Sequence, residues 1–306
     1  MKKFFGIIGL ALAVIAFGAC GSGDGGGEGS ANVVYDREGN QVVLPDEINT
    51  IITLMPSKTE IVMGLGFGDY IIATDQSSGM IDGIPSGIAT LDYGGVDVEH
   101  IISLNPDVII ASDMLRFGGN DPLEPARNLG IAVAYIPTSN SIEGIKDDIR
   151  FVAQVLGVQE RGEELVAQME AEFDTVAQIV AGINNRRMVY FEIWPLFSFG
   201  TGTFLHELLE IAGGISITRD MEGWVPLSDE FVLDINPDVI LTSTDPGALG
   251  NPVEEILNRT GWGSVTAVAE GNVHFIDTDA SNRPTHNVVY ALWEIARAIY
   301  PEYFAQ

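Results

Sequence analysis

The sequence predicts an α/β protein built as two similar lobes with parallel sheets, joined by one long helix. Three observations carry this expectation. The stretch 99–112, Glu-His-Ile-Ile-Ser-Leu-Asn-Pro-Asp-Val-Ile-Ile-Ala-Ser, recurs at 230–243 as Glu-Phe-Val-Leu-Asp-Ile-Asn-Pro-Asp-Val-Ile-Leu-Thr-Ser, with seven of 14 positions identical and four more exchanging one aliphatic residue for another. The offset of 131 residues far exceeds a solenoid unit of about 20–50 residues, so the repeat implies two lobes. Both copies end in an apolar run without alternation, Val108–Ala111 and Val239–Thr242, as a parallel strand buried on both faces requires. Between the copies, Leu165, Met169, Phe173, Val176 and Val180 step by 4, 4, 3 and 4 residues, a helical stripe within 158–182. At ~1.5 Å per residue that helix is about 37 Å long, and Gly182 with Asn184-Asn185 ends it.

The chain opens on Lys2-Lys3 and an apolar run from Phe4 to Phe17, followed by Gly18-Ala19-Cys20. The run of 14 residues is too short to span a bilayer and has the layout of a secretory signal. The sequence ahead of Cys20, the only cysteine, resembles a lipobox, with Phe17 where leucine is usual. That pattern implies a signal over 1–20 and a mature N-terminus lipidated at Cys20. The Gly-rich tether over 21–32 that follows reaches about 18 Å over its ten residues Gly21–Ser30.

The body then reads in order. Val33–Val34 and Gln41–Leu44 flank Glu38-Gly39-Asn40 as a hairpin. Ile51–Leu54 is a buried strand, Met55-Pro56-Ser57 a turn, and Thr59–Gly64 the start of a helix. Ile71–Thr74, Val108–Ala111 and Val133–Ile136 are strands, with helices over Asp121–Leu129 and Ser141–Leu156. The second half repeats the plan: strand Arg187–Ile193, helix Phe204–Ala212 stopped by Gly213-Gly214, helix Val253–Leu257, strand Val273–Ile276 and helix Thr285–Tyr300. Within each repeat copy, glutamate at the head of a short helical turn is favoured by the exposed N–H groups. Asn-Pro ends that turn, because the residue before proline is pushed out of the helical region. The expected units are 33–157, a connecting helix over 158–184, and 185–306. Gly64-Leu65-Gly66-Phe67-Gly68 follows a helix and lacks the sixth-position glycine, so it is not a dinucleotide loop.

Without Lys2 and Lys3 the chain carries 13 basic against 43 acidic residues, a surface that repels nucleic acid and anionic lipid and suits a basic partner or plain solubility. Four histidines, His100, His206, His274 and His286, show no metal-ligand spacing, which argues against a bare zinc or manganese site.

Four markers give the chain a specific resemblance: Leu54–Ile61, the Glu99 unit, Gly213-Gly214 with the Glu230 unit, and Trp262 through Asp277. Over about 33–304 the chain resembles the substrate-binding proteins of ABC importers for metal chelates, which capture vitamin B12, ferric siderophores and haem. The resemblance implies two Rossmann-like lobes on one helical spine, with a ligand cleft between them and limited closure. It implies no intrinsic cofactor, a monomer, and a partner permease dimer with ATPase subunits. It places the protein outside the cytoplasm, in a periplasm or on the outer face of the cytoplasmic membrane. Glu99 and Glu230 match the exposed glutamates that dock on permease arginines; helix capping is compatible with either.

Within the family the pattern is nearest the vitamin B12 binders. Tyr93 and Trp224, each six residues before a repeat glutamate, fall at cleft aromatic positions, and Asp279 with Arg283 match an Asp-x-x-x-Arg pair at the ligand's periphery. Trp194, beside Pro195 at a strand end, is a further cleft candidate. Ser112 stands where those proteins carry another tryptophan, and no residue near Gln76 matches a cleft tyrosine. The bland readings are core packing for Trp224 and a surface ion pair for Asp279–Arg283; His286, near Arg283, is a ligand contact or a satisfied side chain. The rival class is an exported α/β enzyme, but no G-x-S-x-G, P-loop or H-E-x-x-H occurs.

Overall fold

The computed structural model describes residues 32–116 and 118–304, so Cys20, the signal and the tether lie outside the described residues. The first lobe opens with an antiparallel hairpin, β1 (Asn32–Tyr35) and β2 (Gln41–Leu44). Its turn closes on Asp36, whose carboxylate accepts the Glu38 and Asn40 N–H groups at 3.0 and 2.8 Å. Five parallel strands follow: β3 (Ile51–Leu54), β4 (Ile71–Asp75), β5 (Ala89–Leu91), β6 (Val108–Ser112) and β7 (Ala132–Ile136), in the order β5-β4-β3-β6-β7. Helices α1 (Pro56–Gly64), α2 (Val98–Ser103) and α3 (Glu124–Asn128) connect them. Then come α4 (Ile142–Val155) and the long α5 (Gln159–Val180).

The second lobe is a parallel sheet of β8 (Met188–Glu192), β10 (Ile215–Ser216), β12 (Val239–Thr242) and β13 (Val273–Phe275), in the order β10-β8-β12-β13. A separate antiparallel pair, β9 (Phe197–Phe199) and β11 (Trp224–Pro226), forms a flap on it. Helices α6 (Phe204–Ile211), α7 (Asp229–Ile235), α8 (Pro246–Leu249), α9 (Pro252–Leu257), α10 (Thr266–Ala269), α11 (Thr278–Asn282) and α12 (Val288–Ile299) complete it.

Alternate strand residues feed different cores, which is why the runs show no polar alternation. Ile51, Val108, Ile110, Val189 and Val239 join the core that α4, α5 and α12 cover, while Ile52, Ile109 and Ala111 pack on the opposite face of the first lobe and Tyr190 and Ile240 on that of the second. On α5 the buried line is Gly162, Val166, Met169, Phe173, Val176 and Val180; Leu165, expected in the stripe, is only half-buried. The helix packs on α4 and on α12 and α6, so it joins the two lobes.

Three local expectations change. The first helix starts at Pro56, not Thr59, because proline's fixed φ suits a first helical position and Met55, at φ 107°, makes the turn alone. The helix expected over Asp121–Leu129 shrinks to α3, since Pro125 sits in its first turn and Asp121 is used as an acceptor for the Leu123 N–H. In both repeat copies the residue before proline is left-handed rather than extended, with Asn105 at φ 50° and Asn236 at φ 57°; asparagine tolerates that region. Among the described residues no helix is long and apolar enough to cross a membrane.

Candidate ligand-binding site

In open parallel sheets, ligands sit outside the carboxyl ends of the strands where the strand order reverses. Those points lie beyond β3 and β6 in one lobe and beyond β8 and β12 in the other. Beyond β8, the chain turns at Ile193–Leu196, where Leu196 takes φ 55°, the Phe197 N–H donates to the Trp194 carbonyl at 2.7 Å, and the Ile193 N–H donates to the Phe197 carbonyl at 3.0 Å. The flap then places Trp224 opposite Phe199, which it meets edge-on with ring centroids 6.5 Å apart. Gly200 is required at the flap's base: a Cβ there would lie 2.1 Å from the Met221 carbonyl oxygen.

Trp194 in that turn and Phe197 and Trp224 on the flap, with Phe204, Asn282 and Pro284, face Thr138, Ser139 and Asn140 of the first lobe across a cleft of about 590 Å³. Trp194 is 48% and Trp224 44% exposed, so Trp224 is a wall residue and not core. Exposed indoles on a concave surface are the usual mark of a ligand site. A polar hollow of about 620 Å³ near Asn184–Arg187 and Asn272 lies at the opposite strand ends and is not a switch-point crevice.

The structure does not bring every predicted residue to this lining. Tyr93 packs half-buried against the core on the far face of the first sheet, with its hydroxyl enclosed beside Ser112; burial pushes that hydroxyl up in pKa. Asp279 and Arg283 flank the cleft but face each other, Nη2 to carboxylate 2.6 Å, and the other Arg283 nitrogen donates to Glu60 at 2.7 Å. Burial, opposed by Arg283, raises the Asp279 carboxyl. Their neighbours Asn282 and Pro284 line the cleft instead. His286 is not on the lining either: it packs on Gly64 of α1 and faces a separate groove beside α5 and α12, and burial lowers its pKa against the pull of Glu60. Ser112 is fully buried. Among the described residues no three His, Cys, Asp or Glu side chains are grouped to hold a metal.

Glu99 and Glu230 stand exposed in the first turns of α2 and α7. The capping is done by the preceding residues: the Asp97 carboxylate accepts the His100 N–H at 3.0 Å, and the Ser228 hydroxyl accepts the Phe231 N–H at 3.3 Å. Bonds from its own N–H and from Ser228 hold the Glu230 carboxyl below its usual range.

Two buried polar assemblies behind the walls were not legible in the sequence. On α1, Lys58 (1% exposed) donates to the Pro137 carbonyl at 3.2 Å and lies 3.9 Å from Asp148, which accepts from Ser139 at 2.6 Å and from Arg37 at 2.5 Å. Desolvation lowers the Lys58 pKa and raises that of Asp148. At the end of β8, the Glu192 carboxylate accepts both Arg259 terminal nitrogens at 2.8 and 2.9 Å, the Tyr190 hydroxyl at 2.7 Å and the Leu196 N–H at 3.0 Å. Arg259 stacks 4.4 Å over Trp262, whose indole N–H donates to Asp229 at 2.7 Å. This chain runs from the turn carrying Trp194 to the head of the helix carrying Glu230. A glutamate closing an apolar strand, Met-Val-Tyr-Phe-Glu, is the one sequence signal it leaves.

The chain is 28% identical to the ABC transporter substrate-binding lipoprotein YvrC of Bacillus subtilis over the whole of both chains. It is 28% identical to a vitamin B12-binding protein of Yersinia pestis over 66% of this chain and 71% of that one. The structure of the periplasmic heme-binding protein RhuT from Roseiflexus sp. RS-1 superposes with a TM-score of 0.71 at 27% identity, covering 84% of this chain and 99% of that one. The periplasmic binding protein family model matches residues 51–280, from the first strand of one sheet through the last strand of the other, and on that match the chain belongs to the periplasmic binding protein family.

Proposed function

We propose that the protein is an extracytoplasmic substrate-binding lipoprotein that captures a metal chelate and delivers it to an ABC import permease, and that the chelate is a corrinoid. The observation that carries this reading is the chemistry of the cleft. The lining around Trp194 and Trp224 is aromatic, aliphatic and neutral polar, and Arg116, beyond β6, is already paired with Glu38. The cation nearest in sequence to that lining, Arg283, is already engaged by Glu60 and Asp279. Haem carries two carboxylates and takes an axial ligand from its protein. Many ferric siderophores are anionic and call for free cations. A corrinoid brings its cobalt already coordinated and a rim of neutral amides. Flat indoles suit its macrocycle, and Thr138, Ser139, Asn140 and Asn282 can meet the amides. In this reading 33–157 and 185–306 are the lobes, 158–184 the spine, and 1–20 with 21–32 the signal and tether.

Calorimetry with cyanocobalamin, haem and a ferric tris-catecholate tests the assignment. Cyanocobalamin should bind tightest, and Trp224→Ala should weaken it by about 1–3 kcal/mol, the scale of a buried aromatic anchor. Tighter binding of either other chelate overturns the corrinoid reading; unaltered affinity in Trp224→Ala removes that residue from the ligand site. For the anchor, Cys20→Ala should move the protein from the membrane to the soluble fraction. Unchanged membrane association would count against lipidation.

A further inference from the structure

The cleft's two walls are held by one short helix. Glu60, midway along α1 in the first lobe, is 6% exposed. Its Oε1 accepts Arg283 Nη1 at 2.7 Å, and its Oε2 accepts the Thr285 hydroxyl at 2.8 Å and the Asn287 amide at 2.9 Å. All three donors belong to five consecutive residues of the second lobe, between α11 and α12. One turn further along α1, the bare Cα of Gly64 makes room for the His286 ring; a Cβ would come within 2.5 Å of its Cε1. The segment 283–287 is therefore clamped to the first lobe at two points. Its residue Pro284 and the adjoining Asn282 line one wall of the cleft. The opposite wall, at Thr138–Asn140, is held from behind by Lys58 and Asp148, and Lys58 lies two residues before Glu60.

We propose that Glu60 is a positioning residue that fixes the width of the cleft: it touches no ligand, but ties the second-lobe wall to the helix that carries the first-lobe wall. The three donors meet the carboxylate only while the lobes keep this spacing, so opening the cleft breaks one ion pair and two neutral hydrogen bonds at once. The claim that width governs ligand affinity rests on the corrinoid reading above; the claim about spacing does not.

The test therefore uses the ligand-free protein first. Spin labels at Leu129→Cys on the first lobe and Asp220→Cys on the second, both exposed positions, are placed in full chains carrying Cys20→Ala. Double electron–electron resonance should give one narrow distance distribution. Glu60→Ala should broaden or shift it, and the double substitution Thr285→Val with Asn287→Ala, which cuts the same tie from the other lobe, should do the same. In unlabelled chains each variant should bind cyanocobalamin at least about tenfold more weakly, while Glu60→Gln, which keeps shape and one acceptor, should recover part of that loss. Unchanged distance distributions in the variants overturn the proposal; a broadened distribution with unchanged cyanocobalamin affinity overturns the claim that width governs affinity. Should Glu60→Ala fail to fold, the Thr285/Asn287 variant decides alone. If the wild-type chain binds no corrinoid, the functional reading falls and the distance distributions still decide the tie.

Discussion

A chain carrying Glu99→Arg together with Glu230→Arg is expected to bind its ligand as the wild-type chain does and to deliver none of it. The repeat explains why. In both copies the aspartate after Asn-Pro anchors the unit to the start of the neighbouring strand: Asp107 accepts the Asn49 and Thr50 N–H groups at 2.8 and 2.9 Å, and Asp238 accepts the Met188 N–H at 2.7 Å. The asparagines make the left-handed turn, and the aliphatics fill the cores. The exposed glutamates are not the caps of their helices, a task that falls to Asp97 and Ser228, and Glu230 bonds only within its own helical turn. Exposed ion pairs contribute about 0–1 kcal/mol, but pairs closed off at an interface contribute more and fix orientation. Reversing both charges sets two repulsions where two attractions are proposed. Uptake by whole cells and ligand affinity of the isolated protein, measured in parallel, separate the possibilities. Uptake that survives the double reversal, or an affinity that collapses with it, removes these residues from the docking role.

The second large effect is on stability. Arg259→Met should cost about 3–5 kcal/mol, because it leaves the Glu192 carboxylate, 1% exposed, as an uncompensated buried charge. The loss should appear as a lower urea midpoint without a change in slope. The double variant Glu192→Gln with Arg259→Met should recover part of it, since the neutral amide removes the unpaired charge and keeps an acceptor for the Tyr190 hydroxyl and the Leu196 N–H. Arg259→Met should also weaken ligand binding, because Glu192 orients the turn bearing Trp194 through the Leu196 N–H. A loss under ~1 kcal/mol would show that Glu192 finds water or another partner.

The elements were legible in the sequence wherever burial leaves a local period. Strands covered on both faces read as unbroken aliphatic runs, and β3, β6, β7 and β12 fall within a residue of where those runs lie. The spacing of Met169, Phe173, Val176 and Val180 marked α5, and the repeat marked two lobes. The short flap strands β9 and β11 escaped notice because three residues carry no period.

For the cleft, sequence supplied residue types and tertiary structure chose among them. Trp194 and Trp224, 30 residues apart, line one cleft, while Tyr93, an equally good candidate by position, has its hydroxyl buried in the first lobe. A local sequence pattern cannot distinguish a guanidinium free to meet a ligand from one already paired. The partner of Arg283 is Glu60, 223 residues away, and that of Arg259 is Glu192, 67 residues away. Periodicity records which face of an element is buried. It does not record which polar groups are brought together when two lobes close on each other, because that depends on contacts between segments whose separation along the chain leaves no pattern in either one.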